Sequence, residues 1–186
     1  MCGRLLSTLL AVLATLVLGV GTAPAAVGLS VTPGGPFTGA GGPVDPPLTC
    51  AGSQIAGMFN TDGNSLGFID EISYQNCSAG GFLTIEISPH FPWVLQGIAH
   101  SNGVTSIAID DIAADISGPG CNVVATGSVA ATFDNATSIL TVVEQNTMIT
   151  FVDPANDCLG LISQGEHVSL LSNSYFISPP QVIEPA

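Results

Sequence analysis

From about residue 48 onward, apolar and polar residues alternate in short runs, the period of a strand that buries one face. The stretch FLTIEIS at 82–88 shows it most plainly, with Leu83, Ile85 and Ile87 on one side and Thr84, Glu86 and Ser88 on the other. The same rule turns Trp93, Leu95, Gly97 and Ala99 inward from WVLQGIA. In CNVVATGSVAATF it selects Val123, Ala125, Gly127, Val129, Ala131 and Phe133, and the small members of that row leave room for a facing layer to approach. ILTVV, from Ile139, follows FDNATS, so these two segments are expected to form a hairpin turning at Asp134 and Asn135.

Further strands are expected at Gln54–Phe59, Phe68–Gln75, Thr105–Ile109, Thr147–Phe151 and His167–Phe176, punctuated by Gly, Pro, Asn and Asp. IAIDDIAADI is ambiguous, because Ile109, Ile112 and Ile116 also recur at helical spacing. A strand or bulged strand is preferred there, since SGPG and a cysteine follow at once. These signals specify an all-β chain: a single antiparallel β-sandwich or open barrel of about nine strands around one core.

The first line has a different texture. Arg4 precedes an apolar run from Leu5 to Val20, and Ala23, Pro24 and Ala25 supply a small-residue cleavage pattern, so residues 1–25 are expected to be a secretory signal peptide. The run is shorter than the roughly 20 apolar residues of a membrane-spanning helix, and Cys2 lies before it, where a lipid-bearing cysteine would follow it. Residues 26–47, rich in Gly and Pro, are read as an N-terminal arm with one β-prone piece near Leu29–Thr32, and 48–186 as the β domain. The expected product is secreted, extracellular or cell-surface associated, with no membrane span after signal cleavage.

Charge sharpens that picture. The chain has 14 Asp and Glu residues and a single Lys or Arg, Arg4, which is lost with the signal. Unopposed negative charge excludes nucleic acid and anionic lipid as partners and favours divalent cations or basic proteins. Four cysteines remain beyond the signal, and outside the cytoplasm they are expected to form two disulfides. Three pairings are open; Cys50 with Cys77 and Cys121 with Cys158 is favoured, because each closes a moderate loop within one half of the domain.

Candidate chemistry is sparse. Calcium takes oxygen ligands from loops dense in Asp and Asn, which singles out Asp110, Asp111 and Asp115, and Asp153, Asn156 and Asp157 in FVDPANDC. Asp62 and Asn64 begin an EF-hand-like loop that fails at Leu66 and Ser73. The same residue types are ordinary turn chemistry. No other cofactor is implied. Trp93, Tyr74 and Tyr175, with Phe91 and Phe176, could line an exposed platform for a glycan or apolar ligand, while a core plug beside Leu95 is the preferred place for Trp93. For hydrolysis, neither G-x-S-x-G nor H-E-x-x-H is present, although a serine with His100 and Asp110 can be drawn. Glu71 and Glu86 could share a face across neighbouring strands.

The order LTC at 48–50, ISYQNCSAGG at 72–81, FPW at 91–93, ISGPGC at 116–121, FDNATSILTV at 133–142 and the final CLGLISQGEHVSLLSNSYFISP resembles small secreted all-β proteins of actinobacteria. More distantly, LTC, a second cysteine, PW, a cysteine before an asparagine-containing turn and a last cysteine are similar to the PraB-type activators of alkane oxidation. That resemblance implies a cell-surface or matrix setting and brings no catalytic residue. The expectation is therefore a non-enzymatic secreted protein acting by contact or assembly, with an unidentified protein, an envelope component or its own copies as partner. The alternatives are a small-ligand or glycan-binding module and an extracellular hydrolase.

Overall fold

A computed structural model describes residues 28–60 and 65–186; the expected signal peptide and the Asp62, Asn64 turn lie outside the described residues. The chain opens with β1 (Leu29–Thr32) and β2 (Gly35–Gly41), followed by β3 (Leu48–Thr49), β4 (Gly52–Phe59) and β5 (Gly67–Gln75). Two short pieces, β6 (Ser78–Ala79) and β7 (Leu83–Thr84), lead into β8 (Glu86–His90) and β9 (Trp93–Ser101). Three long strands come next: β10 (Val104–Gly118), β11 (Cys121–Asp134) and β12 (Ile139–Asp157). One 3-10 turn (Cys158–Gly160) precedes β13 (Ser174–Ser178) and β14 (Val182–Pro185).

All pairings are antiparallel. The ladder runs β11-β12-β13-β2-β4-β5-β9-β10, and β10 pairs back onto β11, so eight strands form a ring. Two seams in it are only three residue pairs long, β12 with β13 and β5 with β9. They divide the ring into a layer of β9 to β12 and a layer of β13, β2, β4 and β5. The sandwich and the barrel anticipated from the sequence are thus one object, and its seams are bonded rather than open. Closing a sheet this way pairs most of the edges along which chains aggregate.

The β-prone piece at Leu29–Thr32 forms β1 as expected, but residues 35–41 depart from their reading as an arm. β2 sits between β13 and β4, where it carries Phe37 into the core, and the ring is incomplete without it. The pattern was faint because the other inward residues of GPFTGAG are Gly39 and Gly41, too small to register as hydrophobic. β1 pairs with β14, and Leu29, Val31 and Ile183 are buried beneath that pair. Leu29 presses onto Gly97, where a Cβ would lie 2.3 Å from Leu29 Cδ1.

Two bulges account for the errors of strict alternation. Ile107 pairs with Gly97 and Ser106 with Ala99, which throws Ile98 outward and leaves Ala99 exposed instead of inward. In IAIDDIAADI the strand is continuous but bulged: Ile109 pairs with Val129 and Ile112 with Gly127, with Asp111 at φ 60. The hairpin of β11 and β12 forms as expected, and Ala136 N donates to Asp134 Oδ1 at 2.8 Å in its turn. Both favoured disulfides are present, Cys50–Cys77 and Cys121–Cys158.

The expected strand at His167–Phe176 shrinks to β13. Its first half instead packs irregularly against β12, because Leu170, Leu171 and Ser172 are all buried in succession, which no alternating strand allows. Gln145 holds this segment. Its Oε1 accepts from Leu170 N (3.0 Å) and Leu171 N (3.2 Å), and its Nε2 donates to Leu171 O (3.0 Å). One side chain thereby does what a ladder does elsewhere. Among the described residues no helix is long and apolar enough to cross a membrane.

Candidate functional site

The interior is taken up by side chains. Trp93, Tyr175, Phe133 and Ile69 are fully buried, and Phe59 on β4 meets Phe133 on β11 across the layers at 6.3 Å between ring centroids.

One break in the wall stands out. β5 and β9 pair only from Gly67 to Ile69, and β8, which continues β9 backwards along β10, pairs with β10 alone. β5 and β8 then run side by side without a ladder until Ile85 N donates to Cys77 O at 3.1 Å. Between them lies a cleft of about 390 Å³ lined by Ile72, Ser73, Tyr74, Asn76, Thr84 and Glu86, with Cys77, Ile85 and Ile87 at its floor. The expectation that Glu71 and Glu86 sit on neighbouring strands fails here, since this gap separates their strands.

The second feature is a set of large apolar side chains held outward. Phe82 (69%), Leu159 (65%), Val143 (65%), Phe176 (55%) and Ile98 (54%) are more than half exposed. Leu159 is held there by three successive left-handed residues, Cys158, Leu159 and Gly160, at φ 57, 58 and 71. Such a conformation is uncommon for a leucine and persists only where its surroundings enforce it. Cys158, buried and tied to Cys121, supplies that anchor.

The proposed aromatic platform does not form. Trp93 is fully buried, donating Nε1–H to His90 O at 2.9 Å with Phe91 packed beside it. Tyr175 is fully buried as well; its hydroxyl shares a hydrogen bond with Ser53 Oγ (2.8 Å) and accepts from Ser172 N (2.9 Å). Tyr74 is partly buried and donates to Leu170 O at 2.8 Å. Burial raises both phenols above their ordinary pKa, Tyr74 well above it and further through the nearby Tyr175. Alternation already turned Trp93 inward; for Tyr74 and Tyr175 it carried no sign of the buried partners their hydroxyls find.

The acidic candidates are likewise separate. Asp115 bonds to His90 Nε2 at 2.9 Å on the surface, where such pairs contribute little. Asp110 pairs with Val94 in the ladder and Asp111 is the bulge residue. Asp153 accepts from Ala155 N and Asn156 Nδ2, both at 2.9 Å, and the Asn156 amide followed by the Ala155 N–H holds its carboxyl below the ordinary value. Asp157 precedes the 3-10 turn. Among the described residues, no three His, Cys, Asp or Glu side chains are grouped to hold a metal ion. The drawn triad also separates: His100 Nδ1 bonds Thr105 Oγ1 at 2.9 Å, and Asp110 lies five residues farther along β10, about 17 Å away at strand rise.

These observations define a disulfide-bearing antiparallel β-barrel with a filled core. A family model described as alkane oxidation protein activator PraA/PraB-like matches residues 4–164, and the chain belongs to that family. No curated protein and no solved structure matches the chain.

Proposed function

We propose that this chain is a secreted, non-enzymatic member of its family that acts at the cell surface or in extracellular material by binding other proteins. The observation that carries the reading is the outward set of Phe82, Leu159, Val143, Phe176 and Ile98, on a fold whose core is already complete. An exported protein gains nothing in stability from holding Leu159 in a left-handed turn facing water, whereas a contact surface gains a fixed apolar anchor. The family description, an activator of alkane oxidation, supports a role in assisting other components. The absence of Lys and Arg after Arg4 supports export and contact with basic partners.

The test is fractionation of cells producing an epitope-tagged chain, with intact mass and native mass measured on each fraction. A chain that begins at Ala26, carries both disulfides and migrates in an assembly larger than itself agrees with the reading. A full-length, reduced chain retained in the cytoplasm contradicts it.

A further inference from the structure

The cleft between β5 and β8 has the form of a missing strand. An extended strand directs its backbone N–H and C=O groups alternately to its two sides. β5 has β4 on one side and β8 has β10, so over Asp70–Gln75 and Glu86–His90 each presents about half of its backbone groups to the gap. The core is thinnest at the same place. Ile72, Cys77, Ile85 and Ile87, which floor the cleft, and the adjoining Leu83 are 6–8% exposed, whereas every other buried apolar residue described is 4% or less. Pro89 blunts one end of β8, which leaves the β5 edge from Ile72 to Gln75 as the principal acceptor.

Charge selects the occupant. Glu86 lines the cleft, and Asp70 and Glu71 stand exposed on β5. No Lys or Arg occurs anywhere after Arg4 to neutralise them, so a strand from a second copy would bring only neutral or like-charged residues. We infer that the cleft takes an extended segment of a basic partner protein by strand addition. Small apolar side chains of that segment lie over Ile72 and Ile87, and its Lys or Arg residues reach Glu86 and the β5 carboxylates. This inference rests on the contact reading above and specifies where and how one contact is made.

The test uses the purified exported chain and three synthetic peptides: one alternating Val and Lys, one with Glu in place of Lys, and one with Lys but with alternate backbone nitrogens methylated. Binding is followed by fluorescence anisotropy, and the site by hydrogen exchange. The inference expects the Val-Lys peptide to bind and to slow exchange at the Ile72–Gln75 amides. The Glu and N-methylated peptides, and the Val-Lys peptide on Glu86→Lys, should bind about tenfold more weakly or worse. Equal binding of the methylated peptide would reduce the interaction to loose charge attraction and overturn the inference. So would the lack of any binding, or protection of the cleft by self-association at high concentration. If the tagged chain still assembles outside the cell while these peptide results fail, the contact reading stands and the cleft does not.

Discussion

Tyr175 and Ser53 share a hydrogen bond at 2.8 Å although their strands are not neighbours: β2 lies between them, and the ring of Tyr175 crosses it over Gly41. Tyr175, Gly41, Ser53 and Tyr74 stand in one register row across β13, β2, β4 and β5. Ser172 Oγ joins the group at 2.8 Å from Ser53 Oγ and donates to Gly42 O. A Cβ on Gly41 would lie 2.5 Å from Tyr175 Cε1. Gly41→Ala should therefore cost about 1–3 kcal/mol by overpacking. Tyr175→Phe should cost about 1–3 kcal/mol by leaving buried hydroxyls short of a partner. Denaturant melts of the two variants measure both, and a neutral Gly41→Ala would show that the ring does not lie over β2.

The two tyrosines of the chain give an alkaline signature. Both phenols titrate above the ordinary 10.0 in the fold, mainly because burial disfavours the phenolate. An unfolded chain ionises them first, so their contribution to stability is whole below about pH 10 and falls as pH rises beyond it. Tyrosinate absorbance of the native protein is expected to lag behind free tyrosine and to appear together with loss of near-UV circular dichroism. A normal tyrosine titration in a still-folded protein would contradict the packing of this row.

The disulfides span 27 and 37 residues. Loop-closure entropy assigns about 3.5 kcal/mol to Cys50–Cys77 and about 4 kcal/mol to Cys121–Cys158. Replacing either pair by serine should lower stability by that order. The second loss should also free the turn at Leu159, read as faster hydrogen exchange around residues 158–160.

Gln145 offers a local test. Gln145→Ala removes three hydrogen bonds to residues 170 and 171. The expected cost is about 2–3 kcal/mol at typical net values. Exchange should rise first in residues 163–173, while the β10 and β11 amides stay protected. Uniform loosening of the whole barrel would show that the segment is no separate flap.

How far the sequence led depended on side-chain size. Rows of Ile, Val and Leu, such as Leu83, Ile85 and Ile87, announced their burial, and the cysteines paired within their own halves. β2 was illegible because Gly39 and Gly41 supply most of its inward face beside Phe37, and the register slip at Ile98 was invisible because a bulge leaves no mark on composition. The site was harder to read. Asp110, Asp111 and Asp115 suggested one metal site and Asp153, Asn156 and Asp157 another, yet Asp115 bonds His90 and Asp153 is held by its own turn, and no three such side chains group among the described residues. The cleft between β5 and β8 had no signal in the alternation, since only the three-dimensional divergence of the two strands opens it.

The claim that this chain works by protein contact is tested most directly by photo-crosslinking in the cells that produce it, with a photoreactive residue placed in turn at Ser73, Phe82, Val143 and Phe176. The account expects discrete protein adducts from Ser73 and at least one of the apolar positions, formed outside the cytoplasm and absent from an inward control at Val129. Uncrosslinked chain at all four outward positions would contradict it.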